Sequence, residues 1–328
     1  MGAAAGHIKH LYEDETLSFN EILDVFYNIN NGSIIAYEKF DGQNLMFTIK
    51  NNVLLFARNK KQLKDPVTMD QILLMFSKHP HVKESFEISY KMIHNVVSIV
   101  GLTKLNKIFC NGSKYLNVEI VNNKSKNVID YGDPKIIFNN ICSVVIKGDY
   151  GNIINTDVLA AQDLFNEYPD IFGSNEIYPP SIVQSPNDIK LISYIEAFKS
   201  AKVFDLNQTV GTFYNISPNS TEQKRNIEYL ITKIGCRLLK TIKSNKVNYD
   251  QTNQEIRDRL AQVLLQAERD SDLKNKITPH ISKIQYCGGL NKFTPIEGVV
   301  FSYKNQTYKI TGLFAPINQI LGIVKYSR

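Results

Sequence analysis

A lysine, an aspartate and a glycine close a strand-like run in the segment Glu38-Lys39-Phe40-Asp41-Gly42-Gln43-Asn44. Further along stand Arg58 in FARNK, Glu119 in LNVEIV, Glu297 in IEGVVF and Lys309 in YKIT, each inside or at the end of an apolar, β-like run. These residue types suit chemistry on phosphates. A lysine amine that has lost its proton is a nucleophile, cations neutralise a phosphate as a leaving group departs, and carboxylates are the ligands that Mg²⁺ prefers. Every one of these residues also has a plain structural reading. Lys-x-Asp-Gly alone is a weak signal, since a strand end often turns through Asp-Gly. A glutamate or lysine on an alternating strand can simply face water, and Arg58 could pair with Asp41 or Asp65.

The elements that must position these residues are legible. Ser18 and Glu21 form a capping box ahead of FNEILDVFYNI, where Ile22, Leu23, Phe26 and Ile29 share one helical face, and Asn31-Gly32 ends the helix. SIIAYEKF reads as a strand, and LMFTI-KNN-VLLFA as a hairpin with an Asn-rich turn. Helices are expected around 66–77 and 84–100, and strands at 115–121 and 136–146. From about residue 155 to 290 most periodic segments are helical, with capping boxes expected at Ser185/Asp188, Ser220/Gln223 and Thr252/Glu255. Strand character returns at 296–302 and 307–311. An α+β body is thus interrupted by a helical block.

In this order the five segments resemble motifs I, Ia, III, IV and V of the covalent nucleotidyltransferases, the superfamily of ATP-dependent polynucleotide ligases and mRNA capping enzymes. Within it the chain is most similar to phage-type RNA ligases and to ligase-like proteins of large tailed phages. That group shares the E-K-x-D-G-Q-N and A-R-N-K segments and an N-V-E-I-V…N-V-I-D-Y pair, here Asn117–Val121 and Asn127–Tyr131. The likeness covers roughly residues 8–150 and 290–315; no motif falls on the helical block.

The resemblance implies a fold and a reaction. The fold is an ATP-grasp-like nucleotidyltransferase core of antiparallel sheets with helices over residues 1–150, a mainly helical insertion over 151–290, and a return to the core over 291–328. The reaction is ATP-dependent sealing of a 5′-phosphate to a 3′-hydroxyl, with RNA the expected polynucleotide, ATP the nucleotide substrate and Mg²⁺ the metal. Lys39 would accept AMP as a phosphoramidate, in a site where nearby cations or little water lower its pKa. Glu38 would recognise the adenine amino group, and Asp41 and Gly42 complete motif I. Asn44 and Arg58 would contact ribose or phosphates, Glu119 would hold the ribose, Glu297 would bind the metal, and Lys309 would contact the α-phosphate. Sealing of nicked DNA, GTP-dependent capping, and a non-catalytic nucleic-acid-binding protein that retains the fold are the alternatives.

Three features depart from that pattern. Only 19 residues follow Lys309, too few for the OB-fold that DNA ligases and capping enzymes place there, so no C-terminal OB-fold is expected. Motif V usually carries two lysines, but Thr311 stands at the second position; Lys304 is the candidate to compensate, and Lys60 a further candidate near the phosphates. The interval from Glu119 to Glu297 is long, which marks the helical block as inserted. Its lysines Lys224, Lys233 and Lys240 are candidates to grip phosphates, with a solvated helical face as the plain alternative.

Composition bounds the rest. The chain has 328 residues with a net charge of +6, a mild excess compatible with nucleic acid. No apolar run reaches the ~18 residues of a membrane span, and the N-terminus lacks a secretory stretch, so a cytoplasmic protein with no membrane partner is expected. Cys110, Cys142, Cys236 and Cys287 are far apart in sequence, without metal-ligand spacing, and are expected to be reduced core residues.

Overall fold

The computed structural model describes residues 8–126, 128–169, 176–201, 205–216, 220–242 and 249–326. It contains ten strands: β1 (Lys9–His10), β2 (Ala36–Lys39), β3 (Gln43–Lys50), β4 (Val53–Ala57), β5 (Lys114–Val121), β6 (Lys135–Lys147), β7 (Tyr150–Asp157), β8 (Ile177–Tyr178), β9 (Gly298–Tyr303) and β10 (Gln306–Ile310). The fold is mixed α+β with open, mostly antiparallel sheets. The chain divides into two compact units, Phe40–Ser181 and Ile8–Lys39 with Ile182–Arg328.

In the unit Phe40–Ser181, β4-β3-β5-β6-β7 form an antiparallel series, with β8 parallel to β6. The β3–β4 hairpin turns through Asn51 and Asn52, both at positive φ, the backbone that matches strand twist. Strand alternation gives the sheet two faces. Leu45, Phe47, Ile49, Leu116, Val118 and Phe138 belong to a core completed by Phe86, Ile93 and Val96 of the helix Pro80–Val100 and by Leu164 and Phe165 of Val158–Glu167. The intervening Met46, Tyr115 and Cys142 meet Ala57 and Leu63 in a smaller cluster.

The other unit is built on a four-stranded sheet, β1-β10-β9-β2. Ala36, Val299, Phe301, Tyr308 and Ile310 are buried in one core with Ile22, Phe26 and Ile29 of the helix Phe19–Asn30. Leu191 and Ile195 of Ile189–Ser200 and Ile227, Ile231, Ile234 and Leu238 of Ser220–Thr241 belong to that same core. The compact units divide the chain after Lys39 and after Ser181. Described residues of 191–242 share one core with 11–36 and 296–310.

Local signals held where side chains cap helices. Ser18 Oγ accepts from the Glu21 amide at 3.2 Å, and Glu21 Oε2 accepts from the Ser18 amide at 2.8 Å. Ser185, by contrast, donates to the Asn30 carbonyl, and Asp188 is the cap of Ile189–Ser200. Thr252 lies inside the helix Tyr249–Ala267, which starts earlier than its capping pattern suggested. The side chain of Ser220 is outside those described. Three of the four free cysteines are buried, but Cys110 is exposed. Cys236 and Cys287, distant in sequence, line one cavity, where Cys287 and burial raise the Cys236 thiol pKa. Among the described residues no helix is long and apolar enough to cross a membrane.

Behind the sheet, the Tyr308 hydroxyl donates to buried Asp14 Oδ2 at 2.6 Å. Burial opposes the charge on Asp14, but hydrogen bonds from Tyr308 and Thr16 and the nearby Lys9 outweigh it and hold the carboxyl below its usual range. A lowered carboxyl pKa stabilises the fold above the unfolded-state value and loses that effect as pH falls through the folded one. Tyr308→Phe is expected to cost about 1–2 kcal/mol near neutral pH. Urea titrations of both proteins at several pH values check this: the gap should narrow at acid pH, and a constant gap would contradict the charged bond.

Candidate functional site

The register of the four-stranded sheet decides where the candidate residues go. Lys39 of β2 lies opposite Gly298 of β9, Glu38 opposite Val299, and Tyr37 opposite Val300. Across β9, Lys309 of β10 also lies opposite Val300. Lys39 and Lys309 are therefore on one face of the sheet, the face opposite the apolar core. Glu38 takes the other face with Ala36, Val299 and Phe301, and is buried there.

Glu297 precedes β9, and its Oε1 contacts Lys39 Nζ. Both side chains are largely withdrawn from solvent, at 25% and 13% exposure, so their attraction is less screened than that of a surface pair. Lys309 is half-buried. Burial lowers its pKa most, and the charge of Lys39 lowers it further, against smaller opposing effects of Glu13 and Glu297. Two lysines and a carboxylate thus share one small region, although Lys39 and Glu297 are 258 residues apart.

Gly298 permits the close strand approach beside this group. A Cβ there would lie 2.1 Å from the Ile310 carbonyl oxygen, at a φ of +157°. Lys304 does not join the group. It occupies the β9–β10 turn at positive φ and pairs with Glu21, roughly 20 Å of strand from Gly298 at about 3.3 Å per residue. Thr311 is buried just past β10.

The unit Phe40–Ser181 gathers the remaining candidates. Asn44 lies directly opposite Glu119 in the β3–β5 pairing. Asn44 Nδ2 donates to Asn117 Oδ1 at 2.6 Å, while its own Oδ1 is buried without a hydrogen-bond partner among the described residues. Arg58 Nη1 contacts the Asn44 carbonyl, and the guanidinium lies over Phe76 and Phe86 at 5.7 and 5.4 Å. Burial lowers the Arg58 pKa, and the carboxylate of Glu119 works against that shift.

Asp41 has a positioning part. Its Oδ2 accepts from the amides of Val128 and Ile129 at 2.8 and 3.2 Å, and its own amide donates to the Tyr131 hydroxyl at 3.0 Å. The second half of the NVEIV…NVIDY pattern is thereby tied to the first motif; Asn127 itself lies outside the described residues. Gly42 has no room for a side chain, because a Cβ would sit 2.4 Å from the Ile120 carbonyl oxygen. Lys60 is exposed on the first turn of the helix Lys60–Lys64. Asn117 and Tyr131 lie within quoted motifs, yet only the fold assigns them contacts: one orients Asn44, the other anchors Asp41.

The division between the units falls inside the first motif, after Lys39. Lys39, Glu297 and Lys309 belong to one unit, and Asn44, Arg58 and Glu119 to the other. For a metal, no group of three or more His, Cys, Asp or Glu side chains is placed to hold one among the described residues. Mg²⁺ commonly uses one or two carboxylates and completes its shell with water and substrate phosphates. Glu297 fits that use, as one carboxylate beside two lysines.

No protein-family model matches the chain, and no curated protein is significantly similar to it.

The two glycines make the geometry testable. Gly42→Ala and Gly298→Ala should each destabilise the protein by about 1–3 kcal/mol, because backbone rather than a mobile side chain stands in the way. Denaturant titration measures this, and unchanged midpoints would contradict the close approaches.

Proposed function

We propose that the chain is an ATP-dependent polynucleotide ligase, acting on RNA, that works through a lysyl-AMP intermediate on Lys39. The observation that carries this reading is the placing of Lys39 and Lys309 on one sheet face, with Glu297 in contact with Lys39. A solvated-face reading leaves it unexplained why distant residues of these types share one partly buried spot. A nucleotidyl transfer needs that combination.

In the proposed first step the neutral Lys39 amine attacks the α-phosphorus of ATP. An N–P bond forms, the bond to the β-phosphate oxygen breaks, and pyrophosphate leaves. The amine proton is released to a neighbouring base or to water. Burial and the neighbouring Lys39 lower the pKa of Lys309, and a bound α-phosphate would offer the Lys309 ammonium a counter-charge in return. Glu297 holds and orients Lys39 and is the carboxylate available to the metal. Mg²⁺, when bound, would supply further neutralisation of the departing phosphates. AMP then passes to the 5′-phosphate of a polynucleotide, and a 3′-hydroxyl displaces it to form the phosphodiester. Asn44, Arg58 and Glu119 offer a buried acceptor, a cation and a carboxylate for ribose and phosphate.

Incubation with ATP labelled on the α-phosphate and Mg²⁺, followed by denaturing electrophoresis, tests the covalent step. Label is expected on the wild-type protein and none on Lys39→Ala. Lys309→Ala should slow labelling by about 10²–10³-fold, the cost of one group that stabilises developing charge. Label from GTP but not ATP would redirect the reading to capping. No label from either, on protein shown by intact mass to start unmodified, would leave the non-catalytic reading standing.

A further inference from the structure

The unit Ile8–Lys39 with Ile182–Arg328 holds a cavity of about 520 Å³ lined by Lys190, Lys233, Arg237, Lys240 and Lys292, with Asp188 as the single carboxylate. Neither Lys39, Glu297 nor Lys309 lines it. Its volume falls within the range of ligand sites.

Three of the cations come from one helix. At 3.6 residues per turn, positions 233, 237 and 240 of Ser220–Thr241 fall on the same face. Lys190 opens the helix Ile189–Ser200, and Lys292 ends the short turn Leu290–Lys292. None of the five is in an ion pair among the described residues. Asp188 is occupied as a helix cap, accepting from the Lys190 amide at 3.0 Å. Arg237 lies over the Tyr194 ring at 4.6 Å and Lys233 over Tyr286 at 5.3 Å. These contacts fix the cationic heads without cancelling their charge.

Like charges three and four residues apart destabilise a helix. Here all five are exposed around one concavity whose described lining sets a single carboxylate, already engaged as a helix cap, against them. A polyanion would balance the excess. Along the helix, Lys233 to Arg237 spans about 6 Å and Arg237 to Lys240 about 4.5 Å, of the order of the separation of neighbouring phosphates on a strand. Arg237 adds the forked donor geometry that matches phosphate oxygens.

We propose that this cavity binds a run of adjacent phosphate groups in the backbone of a polynucleotide strand. The phosphate chemistry follows from the cavity alone; taking a strand as its source rests on the ligase reading. The helical segment then contributes a second grip on the substrate. Lys233 and Lys240, candidates from sequence, take part; Lys190, Arg237 and Lys292 were invisible there.

Fluorescence anisotropy of a short single-stranded RNA on the full chain, over a salt series, tests this. Arg237→Gln/Lys240→Gln removes two charges from the cavity, and Lys91→Gln/Lys107→Gln removes two exposed charges elsewhere. All four positions are exposed, and melting curves verify folding. The cavity variant should bind about ten-fold more weakly, with a log–log salt slope smaller by about 1.4, or ~0.7 per lost contact. The control should match wild type, and inorganic tripolyphosphate should compete for the wild-type cavity. Unchanged affinity and slope in the cavity variant, or an equal loss in both variants, would overturn the proposal. Tripolyphosphate binding lost in the cavity variant while RNA affinity stays equal would overturn the strand as ligand. ATP labelling of wild type is read in parallel, and its absence would count against the ligase reading without touching the cavity result.

Discussion

The candidate centre depends on one pairing, β2 against β9, in a single register. It sets Lys39 opposite Gly298 and so delivers the amine to Glu297. A slip of one residue would exchange the faces, turning Lys39 into the core with Phe301 and Glu38 out of it. The apolar residues of β9 and β10 forbid that exchange, since Val299, Phe301, Tyr308 and Ile310 are all buried with the helix Phe19–Asn30. Closing so long a loop is inexpensive beyond a shorter one, as each doubling adds only about 0.6 kcal/mol. A lysine from the start of the chain and a glutamate from near its end can therefore share a site.

The same strand serves both faces. In β10, Tyr308 points to the buried Asp14, while its neighbour Lys309 lies on the face of Lys39. Packing behind the sheet and charge in front of it are thus linked through consecutive residues. Gly298 lets β9 and β10 approach where the charged group forms, and Gly42 plays the corresponding part for β3 beside β5. Both glycines adjoin candidate residues because the backbone must pass closely there.

Most of this skeleton is legible in the sequence. The hairpin at Asn51-Asn52, the strands about Glu119 and Lys309 and the long helix Pro80–Val100 announce themselves by apolar period and turn chemistry. β7 escaped notice because YGNIINTD is polar and mostly exposed, with no apolar face to betray it. The final helix Phe314–Tyr326 has no counterpart in the sequence reading. The motif residues were legible as types, but which of them meet was not. Glu38 and Lys39 are adjacent in sequence and face opposite sides, whereas Glu297 and Lys39 touch across almost the whole chain. Lys304 looked available to replace a missing lysine and is held by Glu21 at the far end of the hairpin. Asp41 reads as a chemical group in the motif, yet its contacts are with the amides of Val128 and Ile129. Pairwise contacts of this kind depend on register and loop closure, which no local pattern records.

The central claim is that Lys39 is the residue that becomes nucleotidylated. Its most direct measurement is tandem mass spectrometry of peptides from the full chain after incubation with ATP and Mg²⁺. One AMP group is expected, on Lys39 alone. AMP on Lys309 or another side chain, with the Lys39 peptide unmodified, would contradict it.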